Sequence, residues 1–144
     1  MRGVVLAVDY GAVRIGLALS DPLGIAVRGA GTVAGGEGAV ERVARFALEN
    51  DVAHIVVGLP LTLKGNMGEA ADRVRAFVER LRAAVHLPVD MYDERFTSSI
   101  AERTIRELGI SRMKRRSKER VDEMSAVLLL QDYLRKEGNS YRRN

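Results

Sequence analysis

Short apolar runs open the chain and predict strands. Residues 3–9 and 14–21 form two such runs, and the four residues between them include Gly11. A third run covers residues 26–33. Short apolar runs bounded by Gly, Pro and polar residues are typical of strands, and a short connection containing Gly is typical of a hairpin. The first part of the chain therefore predicts three consecutive antiparallel strands.

Helical faces alternate with two further strands after residue 34. Apolar positions recur at i, i+3, i+4, i+7 and i+8, which is the pattern of one buried helix face. The first such face comprises Val40, Val43, Ala44, Ala47 and Leu48. The second helix begins at residue 69, and its face comprises Ala70, Val74, Phe77, Val78, Leu81 and Val85. Buried strands are predicted over residues 53–59 and 88–93.

The last third of the chain predicts two more helices. One covers residues 97–108 and ends at Gly109, and the other runs from Asp122 to about Lys136. The full order predicts an α/β fold with a mixed five-stranded sheet, in which three antiparallel strands precede parallel strand–helix units and helices cover both faces. We expect a single domain over residues 1–137 and a polar C-terminal tail over residues 138–144.

Three acidic residues stand at the ends of segments that are predicted to be buried. Asp9 closes the first strand, Glu94 follows the last strand, and Asp122 opens the final helix. A buried carboxylate is costly unless it is paired, and three carboxylates near one another need a cation. Carboxylates are the protein ligands of hard divalent metals such as Mg2+. The pattern therefore predicts a metal-dependent nuclease.

Composition excludes several other kinds of site. The chain of 144 residues has no cysteine, so disulfides, zinc fingers, iron–sulfur clusters and thiol chemistry are excluded. The first apolar run is too short for a signal peptide, and no apolar stretch approaches the roughly 20 residues of a membrane span. We therefore expect a soluble, cytoplasmic protein that does not associate with membranes.

Positive charge is concentrated in the second half of the chain. The net charge of +4 divides into −2 for residues 1–72 and +6 for residues 73–144. Six cations and one anion lie within residues 111–120, directly before the final helix. This run is either a solvated loop or a contact to a phosphate backbone, and we favour the second interpretation. The candidate nucleic-acid-binding residues are Arg112, Lys114, Arg115, Arg116 and Lys118.

Three further cations are weaker candidates for contacts to nucleic acid. Arg14 and Arg95 lie near the predicted site in the sequence, although exposure as ordinary surface arginines is an equal alternative. Lys64 lies in a loop that contains Gly65, where a cation could meet substrate. Asp21 is interpreted as a cap of the turn at Pro22, and the two histidines as structural or exposed.

Four motifs in series resemble those of the YqgF/RuvX family, a branch of the ribonuclease H-like fold related to the RuvC resolvases. They are V-D-Y-G-A-V-R-I-G-L-A-L-S-D (residues 8–21), V-V-G-L-P-L-T-L-K-G-N-M-G-E (56–69), Y-D-E-R-F-T-S-S-I-A-E (92–102) and V-D-E-M-S-A-V-L-L-L-Q-D-Y-L (121–134). Each motif alone is weak, but the series spans nearly the whole chain. Met124-Ser125 and Phe96 depart from the usual residues of the family and put little in doubt.

The resemblance implies that Asp9, Glu94 and Asp122 hold two Mg2+ or Mn2+ ions, with Asp9 as the residue that reaches both. It also favours Glu94 over its neighbour Asp93. Successive strand side chains point to opposite faces, so only one of these two can enter the site easily. For Asp122 the alternative is an acid in the first turn of a helix, stabilised by the helix dipole.

The resemblance implies two activities on structured nucleic acid. One is maturation of the 5′ end of the precursor of 16S ribosomal RNA, and the other is resolution of four-way DNA junctions, that is, of branched DNA. Both cut a phosphodiester bond, so the sequence does not choose between them. Symmetric junction cleavage needs two active sites, which makes a homodimer possible.

Two other classes of protein remain as alternatives. An ATPase is one, because residues 9–16 are similar to the phosphate-binding turn of the actin and sugar-kinase relatives of this fold. Those proteins need two such domains, and the chain has no P-loop motif. A non-catalytic nucleic-acid-binding protein is the other. The three acids argue against it, because carboxylates repel phosphate unless a metal is present.

Overall fold

The computed structural model describes residues 3–59, 68–93 and 116–143. Within these ranges it contains the strands β1 (Val4–Asp9), β2 (Arg14–Ser20), β3 (Val27–Ala34), β4 (Val52–Leu59) and β5 (Val89–Asp93), and the helices α1 (Ala39–Glu49), α2 (Glu69–Ala84) and α3 (Arg116–Arg143). The strands form one sheet in the order β3-β2-β1-β4-β5. The described elements therefore follow the predicted order.

Strand directions within the sheet are mixed, as predicted. β1 pairs antiparallel with β2, and β2 pairs antiparallel with β3. β4 runs parallel to β1, and β5 runs parallel to β4. Helix α1 connects the antiparallel half to the parallel half, and α2 connects the two parallel strands. The α/β class and the mixed five-stranded sheet are confirmed.

The sheet separates two apolar layers. Alternate side chains of each strand, such as Leu6 and Val8 of β1, pack with α1 and α2 on one face. The intervening side chains, such as Val5 and Ala7, pack with α3 on the other face. Strand side chains alternate between the two faces, so a residue's position in a strand identifies the layer that it meets. Helices cover both faces, as predicted.

The final helix differs from its prediction at both ends. It begins at Arg116, not at Asp122, and it continues to Arg143, beyond the predicted end at Lys136. The prediction of a loop is wrong for residues 116–120, which are helical. The predicted C-terminal tail is also helical, over residues 138–143. Arg, Lys and Glu are good helix formers, and residues 116–137 contain neither Gly nor Pro to interrupt the helix. High charge alone does not therefore indicate a loop.

Two apolar residues that were predicted to lie on buried helix faces, Leu48 and Ala70, are exposed. Leu48 has 80% of its surface exposed, so it does not belong to the buried face of α1. Ala71 takes the buried place that was predicted for Ala70. The helix predicted over residues 97–108 lies outside the described residues. Among the helices that the structure describes, none has both the length and the apolar character required to cross a membrane.

Candidate active site

Asp9 lies at the carboxyl end of the central strand. β1 is flanked by β2 and β4, so its last residue stands in the middle of one edge of the sheet. Asp9 shares the strand face of Val5 and Ala7, which is the face covered by α3. Asp9 is partly buried. The first predicted acid therefore points to the layer that also contains Asp122.

Gly16 brings the final helix close to Asp9. In the β1–β2 pair Gly16 is the direct partner of Asp9, and direct partners in an antiparallel pair have Cα atoms about 4.5–5.5 Å apart. A Cβ atom added to Gly16 would overlap the backbone carbonyl group of Asp122. The helix backbone therefore rests on the strand at the one position where a side chain is absent. Asp9 and Asp122 consequently share one small region of the molecule.

Arg14 completes this region. It lies two residues before Gly16 on the same face of β2, and its Nε–H donates a hydrogen bond to Oδ2 of Asp122 at 2.9 Å. The two side chains are 27% and 30% exposed, so both are largely sheltered. A hydrogen bond between two charged groups is stronger than a neutral one. The Asp122 carboxylate is thus held by a residue of the motif that also contains Asp9 and Gly16.

The position of Asp122 in its helix bears on the alternative role considered for it. The acid in the first turn of α3 is Glu119, and Asp122 is in the second turn. Helix-dipole stabilisation falls off beyond the first turn. The alternative role as a first-turn acid is therefore wrong for Asp122.

The alternation of β5 bears on the choice between Asp93 and Glu94. Val89 and Met91 pack in the layer of α1 and α2, whereas Tyr92 packs in the layer of α3. Asp93 is two residues from Met91 and therefore belongs to the face opposite to that of Asp9. Glu94 lies outside the described residues, so its assignment to the site stays a prediction.

Most of the predicted cationic contacts also lie outside the described residues. These are Lys64, Arg95, Arg112, Lys114 and Arg115. Arg116 and Lys118 lie in the first turn of α3, where the backbone is described. Their assignment as contacts to nucleic acid stays a prediction, as does that of Arg14.

Asp9 and Asp122 offer carboxylate oxygens, which are the type of ligand that hard cations prefer. Carboxylate oxygens are the ligands that Mg2+ and Mn2+ prefer, and two of the three predicted carboxylates share one region. Within the described residues, no group of three acidic, histidine or cysteine side chains is arranged to hold a metal ion. Glu94, the third predicted carboxylate, lies outside the described residues.

Asp21 and His54 lie outside this region and have structural roles. Asp21 accepts hydrogen bonds from the backbone N–H groups of Ile25 and Ala26, at 2.8 and 3.3 Å, as a turn cap does. Backbone donors, the Ile25 N–H above all, hold the pKa of Asp21 below its ordinary value. His54 bonds Asp90 at 2.7 Å near the start of β4, at the opposite end of the sheet from Asp9. The structural interpretation of Asp21 and His54 agrees with these contacts.

Glu123 was missed by the sequence reasoning. Its Oε2 accepts a hydrogen bond from the backbone N–H of Gly31 at 2.6 Å, and its side chain lies against Gly29. The available signal was the position of Glu123 next to Asp122, at the start of the apolar part of the helix. Asp122 and Glu123 together fasten α3 to β2 and β3.

Comparisons with known proteins agree with this fold and motif. A family model described as "RuvX: Holliday junction resolvase" matches residues 3–136. A relative from Koribacter versatilis is 44% identical over 140 residues, covering 96% of this chain and 90% of the relative. One from Pelotomaculum thermopropionicum is 40% identical over 141 residues, with the same coverage. Both are named "Putative pre-16S rRNA nuclease".

Two solved structures have the same fold at low sequence identity. Thermus thermophilus RuvC, solved with a Holliday junction substrate, superposes with a TM-score of 0.59 at 16% identity, covering 95% of this chain and 97% of RuvC. The fowlpox virus resolvase, solved with Holliday junction DNA, gives 0.55 at 12% identity, covering 92% and 97%. The fold is therefore that of RuvC and of the fowlpox virus resolvase.

Fold, motif and relatives together define an enzyme of the nuclease class. The family match spans most of the chain, and the curated relatives are similar over nearly their whole length. The chain belongs to the RuvX family. The resemblance found in the four sequence motifs is confirmed.

Proposed function

We propose that this protein is a divalent-metal-dependent endonuclease that hydrolyses phosphodiester bonds in structured nucleic acid. The observation that supports it most is the convergence of Asp9 and Asp122 on either side of Gly16. Two carboxylates in one region repel each other unless cations lie beside them, and Arg14 supplies one such cation to Asp122. Such a pair is suited to hold Mg2+ or Mn2+ and, through it, a phosphate.

Asp9, Asp122 and Glu94 are the proposed metal ligands. When bound, two divalent ions would supply an activated water and stabilise the leaving oxyanion. Asp9 stands on the central strand, and we propose it as the carboxylate that would contact both ions. Glu94 is proposed over Asp93 because Asp93 belongs to the strand face that packs with α1 and α2. Asp122 lies on α3, which covers the same sheet face as Asp9, and Gly16 and Arg14 hold this helix in place.

The basic residues before and at the start of α3 are proposed to bind the phosphate backbone. They are Arg112, Lys114, Arg115, Arg116 and Lys118, with Lys64 and Arg95 as further candidates. Asp122 follows Lys118 by four residues in the same helix, so a nucleic-acid backbone that binds the start of α3 would pass close to Asp122. Positive charge of this kind also speeds encounter with a polyanion.

The proposed substrate is the precursor of 16S ribosomal RNA, cut at its 5′ end. The names of the relatives that are 40% and 44% identical support this choice. The alternative substrate is a four-way DNA junction, supported by the description of the family model. Junction cleavage would call for a homodimer with two active sites. We further propose that residues 1–137 form one domain and that the protein acts in the cytoplasm.

Cleavage assays with matched variants test the proposal. Wild-type protein is incubated with an RNA that spans the precursor's 5′ end, a four-way DNA junction and a linear duplex, in Mg2+, in Mn2+ and with chelator. Asp9→Asn and Glu94→Gln remove one carboxylate each, and Glu41→Gln changes an exposed acid on α1 as the control. We expect cutting that requires metal, persists in the control and is lost in both site variants.

The preferred substrate then separates the two activities. Faster cutting of the RNA supports ribosomal RNA processing, and faster cutting of the junction supports resolution. An Asp9→Asn protein with full metal-dependent cleavage would overturn the proposed site. Binding of all three substrates without cutting any would instead favour a non-catalytic role.

A further inference from the structure

Arg14 was expected to be a surface residue or a phosphate contact, but its guanidinium group is occupied by an acid of the same protein. The Nε–H of Arg14 donates to Oδ2 of Asp122 at 2.9 Å. The two residues are 108 positions apart in the sequence, so this contact forms only when α3 packs on β2. Arg14 therefore belongs to the architecture around Asp122.

The surroundings leave Asp122 little freedom. Its backbone carbonyl group rests against Gly16, which fixes where the helix crosses the strand. Its side chain is mostly sheltered, and the bond from Arg14 fixes the rotation of the carboxylate. Arginine presents its donors in a rigid planar fork, so it orients the acid that it bonds. Two residues of β2 thus fix the backbone and the carboxylate of the same acid.

The bond to Arg14 uses one of the two oxygens of Asp122. Oδ2 accepts the Nε–H, which leaves Oδ1 to bind a cation. Carboxylates that bind metals are commonly hydrogen-bonded by a second residue, which fixes their orientation and tunes their affinity for the ion. A guanidinium group whose charge is partly balanced by a carboxylate is also a weaker partner for phosphate.

We propose that Arg14 is a positioning residue that orients the Asp122 carboxylate for metal binding and does not contact nucleic acid. The proposal rests on the proposed function, because it takes Asp122 as a metal ligand. It assigns to Arg14 an effect on metal affinity that operates through Asp122. It also predicts that Arg14 is irrelevant to nucleic-acid binding when metal is absent.

Arg14→Lys is the decisive variant. It keeps the positive charge, so it preserves a simple phosphate contact, but it lacks the planar fork that orients a carboxylate. We expect Mn2+ binding, measured by calorimetry on the metal-free protein, to weaken by about 10–100-fold. Arg28→Lys, at an exposed position of the neighbouring strand β3, is the control and leaves Mn2+ affinity unchanged.

Binding of nucleic acid in chelator gives an independent readout. Arg14→Gln combined with Asp122→Asn removes the ion pair without changing the net charge. We expect Arg14→Lys and this double variant to bind the RNA and the junction as tightly as wild type, with the same salt dependence. A phosphate contact from Arg14 would instead reduce the salt slope of the double variant by about one, and that result would overturn the proposal.

A double variant tests whether Arg14 acts through Asp122. In the Asp122→Asn protein, Arg14→Lys is expected to cause no further loss of Mn2+ affinity, because the carboxylate that it orients is already gone. Independent actions would add, and direct neighbours that act together do not. Additive losses would place the action of Arg14 elsewhere and overturn the proposal.

The wild-type protein offers a test that does not depend on folding of a variant. The Arg14 Nε–H resonance in a nitrogen–proton NMR spectrum should be protected from exchange both without metal and with saturating Mg2+. Loss of that protection on Mg2+ addition would mean that the bond breaks and would contradict the proposal. Failure of wild-type protein to bind Mn2+ or Mg2+ at all would refute the proposed function, whereas normal metal binding by Arg14→Lys refutes this inference alone.

Discussion

Gly16 is the residue on which the geometry of the site depends most. A side chain at this position would occupy the space of the Asp122 carbonyl group. Because the obstructing atoms belong to a helix backbone, they cannot rotate away as a side chain would. The glycine therefore serves close approach of two backbones, and its role differs from that of a glycine in a turn.

Replacing Gly16 by alanine is expected to displace α3 from β2. We expect a loss of about 1–3 kcal/mol in the free energy of unfolding, which is typical of overpacking, and loss of most cleavage activity. Urea unfolding and the cleavage assay measure the two effects. Gly68→Ala is the control, since none of the residues that the structure describes lies within 4 Å of the added atom. Wild-type stability and activity in Gly16→Ala would show that α3 has room to adjust.

Asp21 predicts a pH effect that is separate from the site. Backbone N–H donors, chiefly that of Ile25, hold the pKa of Asp21 below its ordinary value of 3.8. A lowered pKa in the folded state means that Asp21 stabilises the fold above pH 3.8, and that this contribution is lost as the pH falls through the folded pKa.

Asp21→Ala should therefore melt below wild type at pH 7, and the difference between their melting temperatures should shrink below pH 3.8. Thermal unfolding followed by circular dichroism across pH 2.5–7 checks this expectation. Glu49→Ala, an exposed acid at the end of α1, serves as the comparison. A difference that stays constant down to pH 2.5 would mean that the ionised carboxylate has no part in the turn.

At the scale of elements, the packing of α3 is fastened by polar contacts as well as by its apolar face. Glu123 accepts a hydrogen bond from the N–H of Gly31 on β3. The neighbouring Asp122 forms an ion pair with Arg14 on β2. Two adjacent helix residues thus reach two adjacent strands. These contacts fix the position of the helix along and across the sheet. With its apolar face alone, the helix would be freer to slide on the sheet.

Glu123→Ala is expected to remove one of these fastenings. An N–H group left without its partner costs about 1–3 kcal/mol when it is shielded from water. Urea unfolding should show a loss within that range, whereas Glu123→Gln keeps an acceptor oxygen and should lose less. Equal stability of Glu123→Ala and wild type would indicate that water replaces the carboxylate at Gly31.

The strands could be predicted from sequence more accurately than the ends of the helices. β1 and β2 follow from local apolar runs, and Asp9 is the acid that ends the first of them. The start of α3 could not be predicted, because its first turns carry charge and lack the apolar periodicity by which a buried helix face is recognised. The Arg14–Asp122 bond could not be predicted either, because a long-range contact leaves no local pattern.

At the scale of the whole molecule, the charge asymmetry predicts strong dependence of substrate binding on salt. We expect Arg112→Gln, Lys114→Gln and Arg115→Gln combined to reduce the slope of log affinity against log salt concentration by about one per lost phosphate contact. Fluorescence anisotropy over a range of KCl concentrations measures the slope.

A second triple variant separates this local effect from the effect of net charge. Arg28, Arg45 and Arg80 are exposed, and their combined change to Gln removes the same total charge. That protein should keep the wild-type slope, because its lost charges lie outside the proposed contact region. Equal reductions in both triple variants would mean that nucleic acid senses only the overall charge.

The topology also has a temporal consequence. Asp9 lies in the first strand and Asp122 in the last described helix. Arg14 of β2, which bonds Asp122, precedes it by 108 positions. A ribosome releases the N-terminal strands long before α3, so a chain still under synthesis contains half of the proposed catalytic apparatus and lacks the other half. An enzyme proposed to trim ribosomal RNA would thus stay inert beside the ribosome that makes it until α3 has been synthesised and released.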